Sequence, residues 1–157
     1  MIGFWQRLLG LGGTRLLPSG EFEQYLKDAL RQQEKRSRWI NVAVLDLCLP
    51  DGTEASSLNV DKTLKTHART VMSQLGPKRY AMISAMIPQD AERHIDRIHR
   101  ELRSSLEVMS EPAAFNISLL SFNCFIPVLE FDQKMDQLLV EIPQVGQNIL
   151  LHEIVEI

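Results

Sequence analysis

The chain has 157 residues, 45% of them apolar and 24% charged, with a formal net charge of −3. That size gives one ordinary domain with room for a real core, and the balance is that of a folded globular protein rather than a disordered one. The acidic balance argues against nucleic acid as a partner, and no run approaches the ~20 apolar residues that span a bilayer.

Two cysteines, Cys48 and Cys124, are too few and too far apart for a disulfide framework or a metal knuckle, so both are expected as buried thiols of a reducing compartment. The apolar part of the N-terminus is too short for a secretory signal, carries Arg7 inside it and lacks a small-residue cleavage pattern. The expected location is the cytoplasm.

Residues 1–13 read as an amphipathic segment ahead of a domain at 14–157. Ile2, Trp5, Leu8 and Leu9 share one helical face, opposite Gln6 and Arg7, and Gly10, Gly12 and Gly13 break the pattern. Phe4, Trp5, Leu8 and Leu9 are the candidates for docking on a partner or a membrane surface. The competing reading is a short helix packed on its own domain.

Ser19 stands before an acidic first turn, Glu21 and Glu23, as an N-cap would. Phe22, Leu26, Ala29 and Leu30 follow at helical spacing, and Lys35, Arg36 and Arg38 close the helix in the sense its dipole favours. Ile40 to Leu49 is then almost unbroken apolar residue, ended by Pro50-Asp51-Gly52. A run so short and β-branched predicts a strand buried on both faces. Asp46 is its one charged residue, near the carboxyl end, where ligand chemistry collects in α/β folds. It reads either as a metal or phosphate-site carboxylate or as a strand-end residue reaching solvent.

Asn59 can cap a second helix, with Val60, Leu64, Ala68, Val71, Met72 and Leu75 inward and Gly76-Pro77 as its stop. RYAMISAMI, residues 79–87, predicts another strand, ended by Pro88. Asp90 opens a third helix with Ile95, Ile98, Leu102 and Leu106 inward. Phe115 to Phe122 alternates as a strand, Met135, Leu138, Leu139 and Ile142 mark a fourth helix, and Asn148 to Ile157 a last strand. The expected fold class is therefore α/β (α+β), a central mixed sheet flanked by helices. Residues 40–49 should lie inside it between the strands at 80–87 and 115–122, with Val44 and Leu45 buried on opposite faces.

There is no Gly-rich phosphate loop, HExxH or nucleophile elbow. His67, His94, His99 and His152 lack ligand spacing and read as structural or surface residues.

The order and spacing of these pieces resemble the GGDEF domain, the diguanylate cyclase module of bacterial cyclic-di-GMP signalling. TRLLPSGEF, from Thr14 to Phe22, is similar to that family's LTGLPNRxxF. VAVLDLCLPDG stands where the family has its first strand and metal-binding DxDxFKxIND. VDKTLKTHA resembles GDxxLxxxA, ISLLSF resembles TVSIG, and DQLLVEIPQVGQN keeps the spacing of DxALYxAKxxGRN. The resemblance implies a nucleotidyl-cyclase-like fold over 14–157.

Departures from the family pattern carry the functional expectation. RYAMISAMIP stands where RYGGDEFxxLLP is expected, without the two glycines and the two acids. The hairpin carboxylate that would join Asp46 in holding divalent ions is absent, and one carboxylate alone holds Mg2+ poorly. Pro143 and Gln147 replace the family's Lys and Arg, and LPDGTEASS offers no match for its FK and ND pairs. Asp61 falls at the family's guanine-contacting position and is equally a first-turn acid favoured by the helix dipole. An RxxD, the family's product-inhibition pattern, occurs only late, as Arg93-His94-Ile95-Asp96. Arg93, Arg97 and Arg100 form a stripe there that would meet a phosphate or, on the alternative reading, pair locally with acids.

The expectation is thus a degenerate, catalytically inactive GGDEF-like domain without cofactor or metal, acting as a protein-binding scaffold. Its partner would be another protein of a bacterial signalling or secretion assembly, membrane-associated among other options, or a second copy in a homodimer. The resemblance ties it to exopolysaccharide, biofilm or motility control. Two alternatives stand beside it: a cyclic-di-GMP receptor using the arginine stripe, and residual nucleotide binding or turnover at Asp46 and Asp61.

Overall fold

The apolar run that begins at Trp39 becomes the interior strand of a six-stranded mixed sheet. The computed structural model describes residues 15–36, 39–48, 60–67, 70–107, 114–123, 127–140 and 150–155. In chain order these form β1 (Arg15–Leu17), a 3-10 turn (Ser19–Glu21), α1 (Phe22–Arg36), β2 (Trp39–Cys48), α2 (Val60–His67) and β3 (Val71–Gly76). Then come β4 (Arg79–Ser84), α3 (Pro88–Glu107), β5 (Ala114–Asn123), α4 (Val128–Val140) and β6 (Leu150–Val155). The strands lie in the order β1-β3-β4-β2-β5-β6. The outer pairs, β1 with β3 and β5 with β6, are parallel, and the inner pairs are antiparallel.

Alternation along β2 builds a core on each face of the sheet. Ile40, Val42 and Val44 pack with Phe22 and Leu26 of α1 and Phe131 and Met135 of α4. Ala43, Leu45 and Leu47 pack with Leu64 of α2 and Ile95, Ile98 and Leu102 of α3. Val44 and Leu45 are both 0% exposed, as a strand covered on two faces requires. Phe122 meets Phe131 edge to face, with centroids 4.7 Å apart, which fastens β5 to α4.

Four sequence expectations are corrected. Val71, Met72 and Leu75, assigned to the inner face of the second helix, belong to β3; α2 ends at His67. Their spacing fits a helix as well as a strand, but pairing with β4 satisfies the backbone, and Val71 and Met72 are buried from opposite faces. Ser19 makes no side-chain cap: it lies inside the 3-10 turn, whose N-cap position is Pro18. Pro88 ends no strand but opens α3, where a missing N–H costs nothing. Cys48 is exposed, because it is the last residue of β2 and lies past the helices that cover the strand. Cys124 lies outside the described residues.

Candidate functional site

Asp46 is two residues from the carboxyl end of β2, on the face that α1 and α4 cover. Antiparallel pairing sets it directly opposite Arg79 on β4 and Asn116 on β5. Arg79 reaches it from just beyond a tight hairpin, in which Gly76 pairs with Arg79 and Pro77-Lys78 form the turn. Leu47 donates its backbone N–H to the Lys78 carbonyl at 2.9 Å, which ties the turn to β2.

The Arg79 guanidinium holds two acceptors at once. Its Nε donates to Asp46 Oδ1 at 2.6 Å, in a pair whose side chains are only 23% and 15% exposed. Its Nη1 donates to the carbonyl of Leu139, in the last turn of α4. Carbonyls in a last turn lack helical partners, and the negative end of the helix dipole favours a cation there. Asp46 is therefore a neutralised carboxylate at a three-element junction of β2, β4 and α4.

Such a junction is poor ground for a divalent ion. Mg2+ needs near-octahedral oxygen ligands. Here Oδ1 already accepts from a cation, and the adjoining hairpin offers Lys78 and Arg79. Among the described residues no group of three or more His, Cys, Asp and Glu side chains is placed to hold a metal ion. Among the described residues, those at Asp46 do not fit the ion that the resemblance implies.

The other candidates do not gather at Asp46. Asp61 is the second residue of α2, and its side chain lies outside what is described. Arg93, Arg97 and Arg100 lie along exposed parts of α3, where Arg93 faces Asp90 at 3.7 Å and Arg100 faces Asp96 at 3.2 Å. These are (i, i+3) and (i, i+4) pairs on an open helix surface, each worth about 0.2–0.5 kcal/mol. Phe4, Trp5, Leu8 and Leu9, with Pro143 and Gln147, lie outside the described residues.

A second polar cluster, which the sequence reading missed, sits at the opposite end of the sheet. Asn41, five residues before Asp46 and so about 17 Å away along the strand, is 1% exposed. Its Nδ2 donates to Ser84 Oγ at 3.1 Å and to the Met86 carbonyl at 2.7 Å. Its Oδ1 accepts from Ser121 Oγ at 2.6 Å, and Ser121 Oγ lies 2.8 Å from His152 Nε2. Glu92 Oε2 stands 3.4 Å from His152 Nδ1. This has the residue types of a nucleophile triad, but Ser121 is 0% exposed and donates to Asn41 rather than to His152. The signal in the sequence was polar residues, Asn41, Ser84 and Ser121, standing at inward positions of three neighbouring strands.

A cleft of about 270 Å3 opens elsewhere, between β5, β6 and α4, lined by Ser118, Leu120, Lys134, Gln137, Leu138 and His152 among others. Lys134 and Glu153 pair across its wall at 2.7 Å. Neither Asp46 nor Arg79 lines it. Among the described residues no helix is long and apolar enough to cross a membrane.

No family model and no curated protein matches the chain. Solved structures do match. A DGC protein from Thermotoga maritima aligns with a TM-score of 0.57 at 10% identity, covering 78% of this chain and 95% of that one. A microbial GGDEF domain, solved for its interaction with cyclic di-GMP, gives 0.57 at 13% identity over 87% of this chain and 94% of its own. The diguanylate cyclase SiaD from Pseudomonas aeruginosa, in complex with its activator SiaC, gives 0.58 at 11% identity, over 87% of this chain and 58% of that one. The fold of this chain is that of the GGDEF domain.

The β3–β4 turn falls before the residues that the sequence comparison set against the signature. GGDEF is a hairpin motif, and the hairpin here turns at Pro77-Lys78. The residues around that turn are Gly76-Pro77-Lys78-Arg79-Tyr80. Ala81 and Met82, which the sequence comparison set against the two glycines, lie within β4 and are buried. Lys78 stands in this turn and Arg79 at the first position of β4.

Proposed function

We propose that this chain is a catalytically inactive GGDEF-like domain that works by binding another protein in a cyclic-di-GMP-linked bacterial pathway. One observation carries the reading: the hairpin beside Asp46 presents Lys78 and Arg79 and no carboxylate, and Arg79 is paired with Asp46. Displacement at a phosphoryl centre by two metal ions needs acids to hold the ions and stabilise the attacking oxygen. A cationic hairpin repels such ions and leaves Asp46 without a partner ligand.

A fold that keeps both of its cores while losing the chemistry of its site is free to act through its surface. The SiaD neighbour was solved with a protein activator, which supports protein contact as a mode of action for the fold. The partner class is a protein of a signalling or secretion assembly, and the processes in view are exopolysaccharide, biofilm and motility control. Location in the cytoplasm, at a membrane-associated assembly or free, belongs to the same proposal.

Calorimetry tests it. GTP with Mg2+ and cyclic di-GMP should each give no binding heat, while affinity capture from the native host, followed by reconstitution with the purified captured protein, should give a defined complex. Nucleotide binding with no protein complex would replace this reading with that of a receptor.

A further inference from the structure

We propose that Arg79 is the resident cation of the Asp46 site: its guanidinium takes the place of a divalent ion and clamps the hairpin to α4. The inference rests on the metal-free reading of Asp46 and is independent of protein binding.

Three observations support it together. Asp46 and Arg79 are directly opposed in the β2–β4 ladder, so their meeting is set by register rather than by chance of rotamer. The pair is short, 2.6 Å, and largely shielded from water, where a charge-assisted bond is stronger than at the surface. The second donor goes to the Leu139 carbonyl, so the same group also engages the last turn of α4.

A carboxylate only 15% exposed needs a counter-charge. A soluble ion supplies that charge only while bound, and it needs further oxygen ligands, which this hairpin does not offer. A guanidinium supplies it permanently, since arginine does not lose its proton in proteins. At this hairpin a fixed guanidinium then does what a bound cation would do. The two also compete for one carboxylate, since the guanidinium already engages Asp46 Oδ1.

The test compares the wild type with Arg79→Gln, Arg79→Glu, Asp46→Asn and the Asp46→Asn/Arg79→Gln double variant. Melting temperature is read with and without MnCl2, and Mn2+ occupancy is read from the spin-resonance signal of the free ion. Removing Arg79 should lower the melting temperature by about 3–10 °C. The double variant should fall by less than the sum of the two single changes. Mn2+ should leave the wild type unmoved and recover part of the loss in Arg79→Glu, where two carboxylates face each other across the ladder. Should that variant fail to fold, the same differential is read in Arg79→Gln. An equal response to Mn2+ in wild type and Arg79 variants, whether all respond or none does, overturns the inference; so does full additivity in the double variant. Either result leaves the inactive reading standing if GTP still yields no product, so the two failures are told apart.

Discussion

At the scale of single residues, two polar junctions pin the ends of the same strand. At the carboxyl end, Asp46→Asn removes the charge that Arg79 answers and leaves a largely buried guanidinium without its counter-charge. The expected cost is about 1–3 kcal/mol, read as a lower midpoint in urea with an unchanged slope. At the other end, hydrogen-bond bookkeeping fixes a tautomer. Asn41 spends both amide hydrogens on Ser84 and Met86, so its oxygen must accept the proton of Ser121. Ser121 Oγ then has only lone pairs left for His152, whose Nε2 must carry a hydrogen. Nitrogen chemical shifts of the His152 ring should show Nε2 protonated. A ring protonated at Nδ1 alone would mean that the chain of donors runs the other way. Asn41→Ala breaks this network at its hub and should cost about 1–3 kcal/mol through the groups it strands.

At the scale of elements, packing decides where local pattern is ambiguous. α3 follows its sequence closely: Ala91, Ile95, Ile98, Leu102 and Leu106 are all buried on one stripe, with charged residues opposite. Leu102→Ala should therefore destabilise by about 2–5 kcal/mol, a test of how tightly α3 seals the second core. The Lys134–Glu153 pair is weaker support for β6. The hydrogen bond from Lys134 to Glu153, and then the charge of that carboxylate, raise the lysine above its usual range. A raised lysine stabilises below its unfolded value and loses that contribution as pH rises through the folded one, so this tie should weaken only in strongly alkaline solution.

β2, α3 and β5 were legible because each carries a long, one-signal pattern. The β3–β4 hairpin was not. Val71, Met72 and Leu75 fall at helical spacing after α2, and the Gly76-Pro77 that stops a helix equally turns a hairpin. Reading Gly76-Pro77 as a helix stop hid the hairpin and with it the pairing of Arg79 with Asp46. A cross-strand ion pair depends on register, and register is settled by the turn and by both neighbouring strands. The Asn41 network was hidden for the same reason: its members lie far apart in sequence and meet only once the sheet is assembled.

At the scale of the whole molecule, a sheet sealed on both faces carries a site whose charges cancel internally. If the domain acts by contact, some surface outside its two cores must serve a partner, and the sequence offers residues 1–12, with Phe4, Trp5, Leu8 and Leu9. Aromatic anchors of that kind often contribute about 2 kcal/mol or more when buried in an interface. Deleting residues 1–12 should abolish partner capture or self-association while leaving the melting temperature unchanged. A large fall in melting temperature with binding intact would assign the segment to the domain itself. The central claim, that the GGDEF fold is kept here without its chemistry, is tested most directly by incubating the purified chain with GTP and Mg2+ and resolving the products by chromatography. The account predicts no cyclic di-GMP at any time point. Product that accumulates, and that Asp46→Asn abolishes, would contradict it.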